Sequence, residues 1–193
     1  MSIVCPRPAR PAWPSLPLPL RVPPDLLAST GARIELEDLV AASPTVKRFF
    51  QLLFAPDAPV SARAMARALG VHPSTLNSRF FRAKLPSAKR YIAWARLIRV
   101  ALALENPVRS GCGVAMQLRF SSGQHLVRHL REQLGMGIPA FRARYTGAQF
   151  AQRFRDELVV PYRVPLERLS LAPRATIGRP TAAARRAPST LAA

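Results

Sequence analysis

Two trios of short polar or basic side chains, Ser74, Asn77 and Ser78 and then Gln124, His125 and Arg128, have spacings that place each trio on one face of a helix. The chemistry open to them is short-range hydrogen bonding. Glutamine matches the adenine edge with two bonds and arginine the guanine edge, each contact discriminating by about 1–3 kcal/mol. Covalent chemistry has little to work with: no Ser, His and Asp set stands in a readable motif, no glycine-rich phosphate loop follows a strand pattern, and carboxylates are scarce. An enzyme is not expected. His125 and His129 are four residues apart, but HLVRH lacks the glutamate of HExxH and no third ligand stands nearby. Groove-facing or solvated histidines are therefore expected, with no metal and no cofactor. Cys5 and Cys112 are isolated and lack CxxC spacing, and Cys112 reads as a small buried residue.

The elements that must position these trios are legible from apolar periodicity. In residues 61–82, Ser61 can cap a helix whose inward stripe is Ala62, Met65, Ala66 and Leu69, and Gly70 supplies a left-handed turn. Val71 plugs the angle, and His72 with Pro73 begins a second helix that buries Leu76 and Phe80. Its other face shows Ser74, Thr75, Asn77, Ser78, Arg79 and Arg82. A second such unit spans 110–132, with Val114, Ala115 and Leu118 inward, Phe120 at the turn, and Leu126 and Leu130 inward on the following helix. Gln124, His125, Arg128 and Arg131 face outward there. Between the units, Ser87 can cap a long helix reaching about Glu105, with Tyr91, Trp94, Ala95, Ile98, Ala101, Leu102 and Leu104 for packing, before Asn106 and Pro107 end it. At about 1.5 Å per residue it is roughly 28 Å long, near the ~34 Å pitch of duplex DNA. Two helix-turn-helix units on such a spacer suit two major-groove segments.

Charge points the same way. The 193 residues carry a formal net charge of +19, which favours a polyanionic partner through counterion release. From 58 to 131 the sole carboxylate is Glu105, against eleven arginines and two lysines, more than a codon bias toward arginine accounts for. Residues 1–32, with prolines at 6, 8, 11, 14, 17, 19, 23 and 24, read as a disordered tail, and so do 161–193, with no acid after Glu167. A double helix-turn-helix domain is expected over 33–146, opening with a short helix at 34–42 and a firmer one from Ser43 and Pro44 to Phe54, and a helical extension over 147–160. No stretch has the ~20 apolar residues of a membrane span, and a reducing cytoplasm is the compartment that fits.

On these residues the chain resembles the DNA-binding domain of AraC/XylS-type transcriptional regulators over residues 45–145. Leu69, Gly70, Val71, Leu76 and Phe80 carry the likeness in the first unit, and Tyr91, Arg96 and Leu97 in the linking helix. Val114, Ala115, Phe120, Ser122, Leu126, Arg128, Leu130, Gly135, Phe141 and Arg142 carry it in the second. The resemblance implies an all-α fold of seven helices in two lobes, with Ser74, Asn77, Ser78, Gln124, His125 and Arg128 toward bases and Arg79, Arg82, Lys89 and Arg131 toward the DNA backbone. It implies double-stranded DNA as partner, contacts with RNA polymerase, no membrane, and a monomer on DNA. The residues before the first core helix offer no cupin-like strands, so the usual N-terminal sensor domain is not expected in this chain; a short stand-alone regulator and a truncated product are the two readings.

Departures from the family pattern carry their own expectations. Arg119 stands in place of the second turn's glycine, and an arginine at positive φ costs about 1 kcal/mol. Gly111 and Gly113 each cost up to ~1 kcal/mol against alanine at a helix start, so the second lobe is expected to be the weaker and to order fully on DNA. Two alternatives to a regulator remain at this level: a non-specific basic nucleic-acid binder, and an adaptor using Phe150, Phe154 and Leu158 on a C-terminal helix, a spacing that packing against the domain satisfies equally.

Overall fold

The structure, a computed structural model, describes residues 24–171, and every regular element among them is helical. In chain order these are α1 (Pro24–Arg33), which runs into a π-helical turn (Ile34–Asp38), α2 (Pro44–Phe54), α3 (Ala62–Ala68), α4 (Pro73–Arg82) and α5 (Ala88–Leu104). There follow α6 (Gly111–Gln117), α7 (Gly123–Leu134), α8 (Ile138–Arg144), α9 (Gly147–Leu158), a 3-10 turn (Val160–Tyr162) and α10 (Arg163–Arg168). The all-α class expected from periodicity is the class observed.

The packing centres on α5. Thirteen of its seventeen residues are buried and only Lys89 and Arg90 in its first turn are exposed, so beyond that turn it has no face to give to solvent and must be enclosed on all sides. α2, α3 and α4 contribute to that enclosure, α6, α7 and α8 do so as well, and α9 packs along its length. Tyr91 joins the neighbours: its ring meets Phe49 and Phe50 of α2, Phe80 of α4 and Phe154 of α9 at centroid distances of 6.0, 6.1, 5.8 and 6.2 Å, all edge-on. Its hydroxyl donates to the Leu158 carbonyl at 2.7 Å, and burial raises the phenol pKa well above its ordinary value.

Two polar side chains tie helix ends together across this core. Arg99 is buried, and its Nη2 donates to the carbonyls of Leu53 at 3.0 Å and Ala55 at 2.7 Å, satisfying the C-terminal end of α2. Desolvation, with Arg96 nearby, lowers its pKa to about 10, so it stays charged at neutral pH. Glu105 accepts from the Gly147 backbone N–H at 2.7 Å, a carboxylate at the positive end of α9. Gly147 is required by contact: a Cβ there would lie 2.3 Å from Leu102 Cδ2 of α5.

Both expected tails begin later, or end sooner, than proline content suggests. Helix α1 already starts at Pro24, inside the 1–32 segment assigned no helix, because proline is harmless in a first helical turn and Leu27 and Ile34 are buried. Residues 34–42 form only the π-helical turn. At the other end, α10 and the residues after it are docked, with Leu166, Leu169 and Leu171 buried, although they fall in the expected 161–193 tail. Pro165 sits in the first turn of α10, so it does not break that helix. The remaining tail expectations, over 1–23 and 172–193, lie outside the described residues. Helix α9, expected as an extension, is part of the central packing, with Phe150, Phe154 and Leu158 all buried.

Candidate nucleic-acid interface

The pairs α3–α4 and α6–α7 are built alike. Ser61 and Ser110 cap the first helices, accepting from the N–H groups of Ala64 and Gly113 at 3.1 Å each, and Ser122 caps α7 by accepting from His125 at 3.1 Å. Helix α4 starts on His72, whose Nδ1 lies 2.8 Å from Ser74 Oγ. Each pair turns through one left-handed residue, Gly70 at φ 68° and Arg119 at φ 58°. The turn is closed in both by the next residue's N–H, Val71 to the Ala66 carbonyl at 2.9 Å and Phe120 to that of Ala115 at 2.8 Å.

Arg119 therefore holds the conformation that favours glycine, as its place in the sequence implied. Arg119→Gly is expected to raise stability by about 1 kcal/mol, read as a higher midpoint in chemical denaturation with unchanged slope. A lower midpoint would show that the arginine side chain contributes more than its backbone costs. One of the helix-start glycines has a use that propensity does not register: a Cβ at Gly111 would stand 2.5 Å from the tip of Ile138, the first residue of α8, whereas one at Gly113 would meet only Ser110 Oγ at 3.4 Å.

The second turn is buckled to α5 by Arg96. Its Nη2 donates to the Leu118 carbonyl at 2.6 Å, and its guanidinium lies 3.4 Å from the centre of the Phe120 ring, while burial lowers its pKa. The same ring organises both histidines. His125 meets Phe120 edge-on at 5.6 Å with Nδ1 2.9 Å from Ser121 Oγ, and His129 lies 5.7 Å from Phe120, half-buried, with a pKa lowered chiefly by desolvation.

The residues assigned to base contacts consequently divide. Asn77, Gln124 and Arg128 are exposed, and Arg128, with 70% of its side chain accessible, has only Glu132 at 3.9 Å as an ionic partner. Ser74 is exposed but engaged with His72. Ser78 and His125 are half-buried, with His125 also bracing its own turn through Ser121, and His129 is half-buried with Nε2 enclosed. Of the backbone-facing set, Arg82, Lys89 and Arg131 are exposed, whereas Arg79 is half-buried with Nη1 enclosed and unpaired. Cys112, expected to be buried, is exposed in the first turn of α6.

Acidic groups are taken up elsewhere. Arg155 of α9 binds Asp38 at 2.6 Å and Glu37 at 3.1 Å, Glu157 pairs with Arg153 at 2.6 Å and Glu167 with Arg163 at 3.4 Å. Glu132 is the only carboxylate that pairs with a residue of α3–α7 among the described residues, which leaves Arg63, Arg67, Arg82, Lys89 and Arg131 without an ion pair there. The sequence missed Arg96 and Arg99 as structural parts; two arginines three apart inside an otherwise apolar helix were the available signal.

No protein-family model matches the chain, and no curated protein and no solved structure matches it. No helix among the described residues is long and apolar enough to cross a membrane.

Proposed function

We propose that the protein is a sequence-specific double-stranded DNA-binding regulator of transcription that presents α4 and α7 to successive major-groove segments. One observation carries this reading: the second helix of each of two similarly built pairs exposes amide or guanidinium groups, Asn77 on one and Gln124 with Arg128, loosely held by Glu132 at 3.9 Å, on the other, amid cations that have no ion pair among the described residues. Such groups can exchange water for base edges and phosphates at small cost. Both helices also contact α5, whose seventeen residues give a length of about 25 Å, of the order of one DNA pitch.

The seven consecutive helices α2–α8 agree in number with the AraC/XylS-type resemblance, and this supports assigning the chain to that family. Action as a monomer and contacts with RNA polymerase follow from the resemblance, and a cytoplasmic location is the compartment that the isolated cysteines suit.

A binding-site selection followed by a salt titration against competing duplexes tests the reading. One selected sequence should resist excess unrelated DNA, and Arg128→Ala should relax its preference by about 1–3 kcal/mol at the base it contacts. Equal affinity for all duplexes, falling equally in the variant, would establish a non-specific basic binder instead.

A further inference from the structure

Helix α10 lies outside the seven-helix unit, yet it is fixed to it at defined points. Ser43 Oγ donates to the Leu169 carbonyl at 2.9 Å, and the Leu171 N–H donates to Thr45 Oγ1 at 3.0 Å, over the buried side chains of Leu166, Leu169 and Leu171. This docking creates an open cleft of about 440 Å³ between α10 and the C-terminal end of α4. Arg79 and Arg82 line it from α4 and Arg168 from α10, beside Val164, Pro165 and Leu169, and no carboxylate lines it. The neighbouring acid, Glu167, is turned to Arg163 at 3.4 Å, so Arg168 has no ion pair among the described residues. Arg79, one of the residues lining the cleft, carries an enclosed Nη1 that no acceptor takes among the described residues.

Three guanidinium groups around one open cleft suit a phosphodiester, whose oxygens accept forked hydrogen bonds from arginine. The cleft adjoins the helix that carries Asn77, and the chain continues beyond Leu171 with four more arginines and no acid. We infer that Arg79, Arg82 and Arg168 form a clamp for the DNA backbone beside the first recognition helix, extending the contact beyond the two helix-turn-helix pairs. This inference rests on the DNA-binding reading and adds a second kind of contact, one that is indifferent to sequence.

Because a phosphate contact is indifferent to sequence, a mixed-sequence duplex serves as the probe. Arg168→Ala should make the plot of log affinity against log salt shallower by about 0.9, the share of one phosphate. Arg33→Ala, an exposed arginine of α1 that does not line the cleft, should leave the slope at its wild-type value, and both variants should melt with the parent. An unchanged slope in Arg168→Ala, or equal changes in both variants, overturns the clamp. The two readings fail separately: if Arg128→Ala relaxes sequence preference while Arg168→Ala changes nothing, the regulator stands without the clamp. If no duplex is preferred but the slope still falls with Arg168, the clamp stands as a non-specific site. No binding to any duplex overturns both.

Discussion

Replacing Phe154 with alanine is expected to lower the free energy of unfolding by about 3–5 kcal/mol. Phe154 is fully buried, with its ring 5.5 Å from Phe54 and 6.2 Å from Tyr91, so truncation opens a cavity where α2, α5 and α9 meet. The surrounding rings cannot close it. Tyr91 is held by its hydrogen bond to Leu158, and Phe54 is itself among the buried residues that end α2. Chemical denaturation provides the measure, with exposed Gln152→Ala on the same helix expected to stay within about 0.5 kcal/mol of the parent. A cost under 1 kcal/mol for Phe154→Ala would mean that α9 is an attachment to the domain and not part of its core.

Arg99→Met is the second large effect, at about 2–3 kcal/mol. Methionine fills similar volume and removes the cost of burying a charge, which offsets part of the loss. What remains is the carbonyl oxygens of Leu53 and Ala55, left without their charged donor at the end of α2, each worth about 1–3 kcal/mol when buried and unpaired. Arg99→Lys should recover only part of this, because both carbonyls are met by the terminal Nη2, which lies one bond further from the backbone than a lysine Nζ. Denaturation midpoints for the two variants check the ordering, and a methionine variant as stable as the parent would show that water replaces the guanidinium at no cost.

The middle of the chain was legible because its signals are local. Caps at Ser61 and Ser87, the turn at Gly70 and the inward stripes through Met65, Leu76, Leu126 and Leu130 all depend on neighbours within a turn or two of helix, and all are found as read. Burial on every side of α5 was not local: its apolar positions suggested a face, and only the packing of α9 and both helix pairs accounts for the whole circumference. Proline misled at both ends, since Pro24 and Pro165 were counted as breakers although each occupies a first turn. For His125 and His129, helical position alone pointed outward. Their environment is set by Phe120, which is set in turn by Arg96 from a helix about thirty residues earlier, a contact that no periodicity contains.

The enclosure of α5 by both helix pairs makes it a ruler with no slack. One inserted residue would rotate everything beyond it by about 100° and advance it by about 1.5 Å, turning buried side chains such as Leu97 and Ile98 out of register with one half or the other. Single-residue insertions and deletions in this helix are thus closed to drift, and the distance between α4 and α7 is inherited as a fixed quantity. On the DNA-binding reading proposed above, a change in the spacing of the bound sites would have to be met by substitutions on α4 and α7, where exposed side chains are free to vary.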